Sequence, residues 1–484
     1  MPTKSDYLKY LQCPKLAWLN RNRPDLISQE TKDSFTDIME SGYEVEQYAY
    51  KLFPEGQLVK DRLDTEKLMQ KGGVIFQPTI IGGKLYCRAD IIAYNEENNT
   101  WDIYEIKSST QVKNIHKEDL SFQKVCFEKA GYKIGKTYLV HINNKYTRKG
   151  KIDAKELFGI KDITTEISEL TQEVEKEVET LSQIIAESEE PKIRPVKQCN
   201  NPYECIFKDY CLRDLPKESI YSIAGKFSEK KMNSLLDEGI VEIEKIPSEF
   251  IPESLSEHFQ VIKSNKVKID KEGIKKELEQ IKYPIYYLDY ETYGSAIPVF
   301  DGYRPYQNIV FQYSLHIQKS ADSKLEHFAF LSNEHKDPTR AMAKSLEELI
   351  GKKGTPIAWN MAFEQDCNEG MAERAKEFEG FFTDVNNRMY DLMSVFKKGF
   401  YIHKNFYGSA SLKKVLPAVV PSLSYAKLNI HEGMMASNSW YEMINPETDK
   451  KRKKEIYNDL LEYCELDTLA MVEILKELKR VVAS

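Results

Sequence analysis

Ile285-Tyr286-Tyr287-Leu288-Asp289-Tyr290-Glu291-Thr292 is an apolar, β-rich run that carries two acids two residues apart. The period of two in a strand turns Asp289 and Glu291 to one face. Charges set among Ile, Tyr and Leu are costly to bury unless a cation compensates. More acids follow. Glu364 comes after Pro356-Ile357-Ala358-Trp359-Asn360 at the start of an expected helix, with Asp366 two residues on. Asp467 lies four residues after Tyr463 on the closing helix, one turn away on the same face. Phe311 to Ile317 and His327 to Leu331 read as two further strands, which suit an antiparallel meander with the first. Asp289, Glu291, Glu364 and Asp467 are thus a candidate set for two Mg2+ or Mn2+ ions roughly 3.5–4 Å apart, the spacing that clamps both oxygens of a phosphodiester displacement. Tyr463 would orient the water, since a phenol of pKa ~10 is a poor general base at neutral pH.

From Tyr283 to Leu478, the order Asp-x-Glu, then Asn-x-x-x-acid, then Tyr-x-x-x-Asp resembles the DEDD 3′-5′ exonucleases of the RNase H-like superfamily, in the subclass with tyrosine in its third motif. The resemblance implies removal of 3′-terminal nucleotides. Its second motif normally ends in Asp, where this chain has the longer arm of Glu364. Asp391, in Tyr390-Asp391-Leu392-Met393, falls where related exonucleases carry a further Asp. The whole stretch, with Asp301-Gly302-Tyr303-Arg304-Pro305-Tyr306-Gln307 and Ser411-Leu412-Lys413-Lys414-Val415-Leu416-Pro417, is similar to an uncharacterised bacterial family that occurs fused behind RecB-like nucleases.

The front of the chain bears on that fusion. Ile75 to Ile81, Leu85 to Tyr94, Trp101 to Ile106 and Lys136 to Ile142 read as strands, with a helix from Ser121 to Ala130. Arg88-Ala89-Asp90 in one strand and Tyr104-Glu105-Ile106-Lys107 in another give the Asp...Glu-x-Lys pattern of the PD-(D/E)XK nucleases. Glu105 and Lys107 alternate onto one face, so two carboxylates could hold a metal with the lysine over the attacking water. Asp119-Leu120-Ser121-Phe122-Gln123 resembles the later motif of RecB-like members, which makes Gln123 a candidate. Glu44 or Glu46 sits near where that family places another ligand, against the reading of a solvated helix face.

Cys13 and the trio Cys199, Cys205 and Cys211 resemble the one-plus-three arrangement by which CRISPR-associated RecB-like and AddB-type nucleases tie their ends to an iron-sulfur cluster. Four thiolates suffice for a 4Fe-4S cluster. The first gap in the trio is five residues, where the family usually has two. Structural zinc is the alternative, though its thiolates usually come as close Cys-x2-4-Cys pairs, and unliganded thiols are a third reading. Cys87, Cys126, Cys367 and Cys464 lie in apolar contexts and read as small buried hydrophobes.

A chain of 484 residues accommodates two or three domains. The expected architecture is α/β: a restriction-endonuclease-like PD-(D/E)XK domain at 1-212, a helical connector at 213-282 and an RNase H-like exonuclease domain at 283-484. Within the connector, Ile223-Ala224-Gly225-Lys226 and Leu235 to Ile240 faintly resemble a DNA-gripping helical hairpin, against ordinary linker packing. Ile163, Ile167, Leu170, Val174, Val178, Leu181 and Ile185 form one apolar stripe and read as a packing face. No apolar run approaches the ~20 residues needed to cross a bilayer, and the opening residues are polar, so no membrane or secretory signal and a cytoplasmic location are expected. A net charge of −7 argues against a generally basic nucleic-acid coat but leaves room for local lysines and metals. The combined expectation is a bifunctional nuclease acting on nucleic acid, DNA before RNA. The alternatives are an RNA-processing exonuclease whose front domain grips substrate, and a non-catalytic nucleic-acid-binding adaptor.

Overall fold

The computed structural model describes residues 1–216 and 218–484, with side chains except at 30, 33–38, 40 and 224–226. It is a mixed α/β structure of two compact units: Met1–Leu215 with Ser295–Tyr306, and Pro216–Gly294 with Gln307–Ser484. The 213-282 stretch, read from sequence as a connector, therefore clusters from Pro216 onward with the second unit. Ser295–Tyr306, read as part of the rear domain, clusters with the first, where Arg148 Nη1 donates to the carbonyls of Pro298 and Val299 at 2.8 and 2.6 Å. In the expected hairpin, the side chains of Ala224, Gly225 and Lys226 lie outside the described residues.

The first unit holds β1 (Gln57–Leu58), β2 (Val74–Phe76), β3 (Thr79–Gly82), β4 (Leu85–Arg88), β5 (Ile91–Asn95), β6 (Thr100–Lys107), β7 (Ile134–Ile142) and β8 (Phe158–Asp162). Six of them form a mixed sheet in the order β1-β2-β5-β6-β7-β8, and β3 and β4 make a separate antiparallel pair. The Asn114–Lys129 helix joins β6 to the parallel β7. Two expected strands are corrected here. Ile75 to Ile81 breaks into β2 and β3 because Gln77 takes a positive φ of 56° and Pro78 has no N–H to offer a ladder. Leu85 to Tyr94 breaks into β4 and β5 at Ala89 and Asp90. The two breaks are tied together, Gln77 N to Asp90 O at 2.9 Å and Ala89 N to Pro78 O at 3.1 Å, so Asp90 sits in a bend and not inside a strand. The apolar stripe is buried at Ile163, Ile167, Val174, Val178 and Leu181, but its helix begins only at Leu170.

The second unit holds β9 (Lys268–Ile269), β10 (Ile285–Tyr293), β11 (Ile309–Gln318), β12 (Glu326–Leu331), β13 (Thr355–Ala358), β14 (Tyr390–Asp391) and β15 (Tyr401–Ile402). Five form a sheet in the order β12-β11-β10-β13-β14, while β9 and β15 pair separately. β12, β11 and β10 run antiparallel in a meander, and β13 and β14 run parallel to β10. Gly354 leads into β13 at φ 89°, where a Cβ would fall 2.0 Å from Pro284 O, so only glycine lets β13 approach β10 this closely. The alternation of β10 decides its faces. Tyr286, Leu288 and Tyr290 pack with Met342, Leu346 and Phe382, whereas Ile285 and Tyr287 pack with Met471 and Leu475 of the closing Lys450–Ala483 helix. Asp289 and Glu291 continue the second set. No helix among the described residues is long and apolar enough to cross a membrane.

Candidate functional site

Asp289 and Glu291 emerge beneath the closing helix because they share the face of Ile285 and Tyr287, and the β10–β11 register shifts between Glu291 and Thr292, beside them. Cys464, one residue after Tyr463, comes to 3.7 Å from Asp289 Oδ2 and can donate its S–H there. The ligand atoms of Asp289, Glu291 and Cys464 lie within 4.8 Å of one another. Glu364 enters from the first turn of the Met361–Arg374 helix, and its Oε2 is a buried oxygen with no hydrogen-bond partner. Asp467 accepts a hydrogen bond from the Tyr425 hydroxyl. Asp391 accepts the backbone N–H groups of Asn360 and Met393 at 3.1 and 3.0 Å, and its charge acts on Glu364. Asn360 itself takes the left-handed conformation, φ 74°, at the entry to the Glu364 helix.

Electrostatics show what this arrangement lacks. Burial, then the charges of Asp467, Glu291 and Glu364, push the Asp289 carboxyl well above its usual range. Burial and Asp467 do the same to Glu291, with Lys413 opposing. Burial lifts Glu364 to about 8 and Asp467 to about 6, the latter against the Tyr425 hydrogen bond and Lys413. Among the described residues no Lys, Arg or His makes an ion pair with any of the four; Lys413 spends its ammonium on the His431 carbonyl at 2.7 Å. Buried mutual repulsion of this kind is relieved by protons or by a cation. Tyr463 is buried in the same field, which with burial raises its hydroxyl pKa and keeps it protonated. Nearby, a cavity of about 620 Å³ is lined by Trp359, Asn360, Met393, Lys397 and Ser409 to Leu412. Cys464, Tyr425 and Lys413 were not singled out from sequence as site residues. Cys464 had a signal, its place between Tyr463 and Asp467.

The front acids are compensated instead. Lys107 Nζ lies 2.5 Å from Glu105 Oε1 and 2.7 Å from Asp119 Oδ2, and Gln123 Nε2 donates to Glu105 Oε2 at 2.5 Å and Asp119 Oδ1 at 2.8 Å. Lys4, from the first helix, adds its ammonium 3.0 Å from Glu105 and 3.3 Å from Asp119. Asp90 Oδ2 accepts the Ile106 N–H at 2.7 Å. Burial raises Asp90 against Lys4 and Lys107; for Glu105 burial and Asp90 also oppose ionisation, but Lys107 and Lys4 prevail and hold it below its usual value. Gln123 keeps one polar atom unused, since Oε1 is buried with no partner. Of the two early acids, Glu46 accepts from Gln77 and Tyr50 and feels the charges of Arg88, Glu105 and Lys4, whereas for Glu44 burial is the influence on its carboxyl. Asp119 lay inside a quoted motif without a role, and Lys4 had no local signal at all.

Cys13, Cys199, Cys205 and Cys211 line one small cavity with Leu16, Leu19 and Phe207. Burial lifts Cys199 to about 11 and Cys205 to about 12, with the neighbouring thiols adding to it. A single zinc at 2.3 Å from each sulfur would set them about 3.8 Å apart. Among the described residues, no three of these sulfurs form a group whose ligand atoms lie mutually within 4.8 Å.

Residues 286–411 match a family described as a domain of unknown function, DUF2779. That segment contains Asp289, Glu291, Glu364 and Asp391 and ends before Tyr463 and Asp467. The chain is similar to the uncharacterized protein UU173 of Ureaplasma parvum, at 25% identity over 244 residues, which covers 46% of this chain and 35% of that protein. It is also similar to the uncharacterized MG366 homolog of Mycoplasma pneumoniae, at 24% identity over 229 residues, covering 42% of this chain and 34% of the relative. The matched part thus spans about a third of the length of these curated relatives.

Proposed function

We propose that the protein is a metal-dependent nuclease whose second unit is an RNase H-like DEDD 3′-5′ exonuclease and whose first unit is a RecB-like PD-(D/E)XK nuclease, acting on DNA before RNA. The observation that carries the reading is the cluster of Asp289, Glu291, Glu364 and Asp467: buried, mutually repelling and, among the described residues, without an ion-paired cation. The orphaned Oε2 of Glu364 fits a cation ligand. Two Mg2+ or Mn2+ ions held by these four residues would supply the charge that stabilises both the attacking and the leaving oxygen. Tyr463 positions the water, and Tyr425 fixes the rotamer of Asp467. The strand order, a three-stranded meander flanked by two parallel strands, supports the RNase H-like assignment. At the front, the contacts of Lys107 and Gln123 with Glu105, and the charges of Lys4 and Lys107 that act on Asp90, support the Glu-x-Lys reading. The four cysteines, which line one cavity, supply the donor set of a 4Fe-4S cluster, and such a cluster would hold the ends of the first unit together.

The test is digestion of end-labelled single- and double-stranded DNA and RNA, with Mg2+ or Mn2+, by wild type, Lys107→Ala, Asp289→Ala and the double variant. Loss of 3′ trimming in Asp289→Ala, with front-site cutting retained, is expected; trimming by the double variant at the wild-type rate refutes the assignment. Binding of ends without cutting by any form would favour the adaptor.

A further inference from the structure

β11 reads Ile309-Val310-Phe311-Gln312-Tyr313-Ser314-Leu315-His316-Ile317-Gln318, and its polar residues fall at every second position. Gln312, Ser314 and His316 are all buried under the closing helix. His316 is the register partner of His327 on β12, the ring centroids are 4.4 Å apart, and Glu465 reaches both from the closing helix. The ligand atoms of His316, His327 and Glu465 lie within 4.8 Å of one another.

The polar contacts of this corner form one chain. Thr468 Oγ1 lies 3.1 Å from the Glu465 carbonyl, 2.6 Å from Ser314 Oγ and 2.8 Å from His316 Nδ1. Ser314 Oγ lies 3.0 Å from His327 Nε2. With the ring protons on the hydroxyl side, which these contacts allow, His316 Nε2 and His327 Nδ1 carry lone pairs. His327 Nδ1 faces Glu465 Oε1 at 3.6 Å, too far for a hydrogen bond. A ring nitrogen and a carboxylate oxygen that face each other without a hydrogen bond leave a gap in which a shared cation fits. Ligands at 2.0–2.2 Å from a tetrahedral zinc stand about 3.4 Å apart, close to the separation seen. Hydroxyls holding the far nitrogen of each ring are the second layer that orients metal-binding histidines.

We propose that His316, His327 and Glu465 bind one divalent transition-metal ion of the zinc class, at a site distinct from the four-carboxylate cluster. Two imidazoles and one carboxylate select zinc, cobalt or nickel over Mg2+, which prefers oxygen donors. The ion ties the edge strand β12 and its neighbour β11 to the closing helix, within a turn of Tyr463 and Asp467. This site stands whether or not the protein cuts nucleic acid.

The test compares the full-length protein with His327→Ala and Glu465→Gln, each alone and in a Cys199→Ser/Cys205→Ser background that removes thiolate sites. After chelation and dialysis against Zn2+, each variant should hold one equivalent fewer than its parent, while the cysteine changes leave that equivalent in place. Co2+ in the cysteine background should give ligand-field bands without thiolate charge transfer, lost on adding either change. His327 and Glu465 are partly exposed, at 27% and 49%, and circular dichroism checks that the fold is kept. If His327→Ala unfolds, Glu465→Gln decides alone. Equal zinc in parent and Glu465→Gln, or displacement of the ion by equimolar Mg2+, overturns the proposal.

Discussion

Glu364→Gln separates a metal-binding acid from a merely buried one. Without metal, the Glu364 carboxyl keeps its proton to about pH 8 in the folded protein, against 4.5 for the free side chain, because burial disfavours its charge and Asp391 adds to that. Between those values the native state binds more protons than the unfolded one, so metal-free stability falls as pH rises. By pH 7 the accumulated loss is roughly 3 kcal/mol, at about 1.4 kcal/mol per decade. Glutamine carries no such proton. Allowing about half of the gain to be lost to an amide with unfilled donors, the metal-free melting of the second unit should rise by on the order of 5 °C at pH 7. Its decline with pH should also lessen, leaving the contributions of Asp289, Glu291 and Asp467. Divalent ions act in the opposite sense, since they bind the ionised set: Mn2+ should stabilise wild type increasingly from about pH 6 to about pH 8.5 and the variant much less. Differential scanning fluorimetry with and without Mn2+ measures all of this. If wild type and variant melt alike across that range and Mn2+ raises both equally, the four acids are not a coupled metal set.

Other expectations follow from single contacts. Lys4→Met removes one of the two ammoniums that compensate Glu105 and Asp119, so Mn2+ affinity at the front site should rise by calorimetry; an unchanged affinity would place Lys4 outside that site. Cys205→Ser should lower bound iron in anaerobically purified protein and speed proteolysis before Arg213, and stoichiometric zinc without iron in wild type would remove the cluster. Tyr463→Phe should slow 3′ trimming by ~10²–10⁴ with metal affinity little changed; a loss of metal binding instead would make the hydroxyl part of the ion site.

The rear acids were legible because strand alternation is local: once Ile285 and Tyr287 face the core, Asp289 and Glu291 must follow on that side. The same rule misled at the front, where Gln77 and Pro78 interrupt an apolar run that alternates well on paper, and Asp90 lands in the matching bend. Charge compensation was not legible at all. Lys4 lies 101 residues from Glu105, and nothing in its helix marks it apart from other surface lysines. The His316 corner had a partial signal, polar residues at period two in an otherwise apolar strand, but its meaning depended on register with β12 and on which turn of a 34-residue helix crosses it.

That difference in compensation distinguishes the two candidate centres. Three acids and two lysines at the front can exist dry and folded, with Gln123 bridging Glu105 and Asp119, so removing metal there should cost the fold little. At the rear, among the described residues, no lysine makes an ion pair with the acids, with Lys413 acting on Glu291 and Asp467 only through its charge, and the metal-free protein favours protons on carboxyls that would be ionised in water at pH 7. Protons and a divalent cation are thus alternative ways to relieve the same repulsion: a site that releases protons when Mn2+ binds, in an amount that falls as pH rises past about 8, shows the behaviour expected if Asp289, Glu291, Glu364 and Asp467 bind the ion together. Calorimetry of Mn2+ binding in two buffers of different ionisation enthalpy counts those protons, and a count of zero at pH 7 in the Lys107→Ala protein would contradict the coupling.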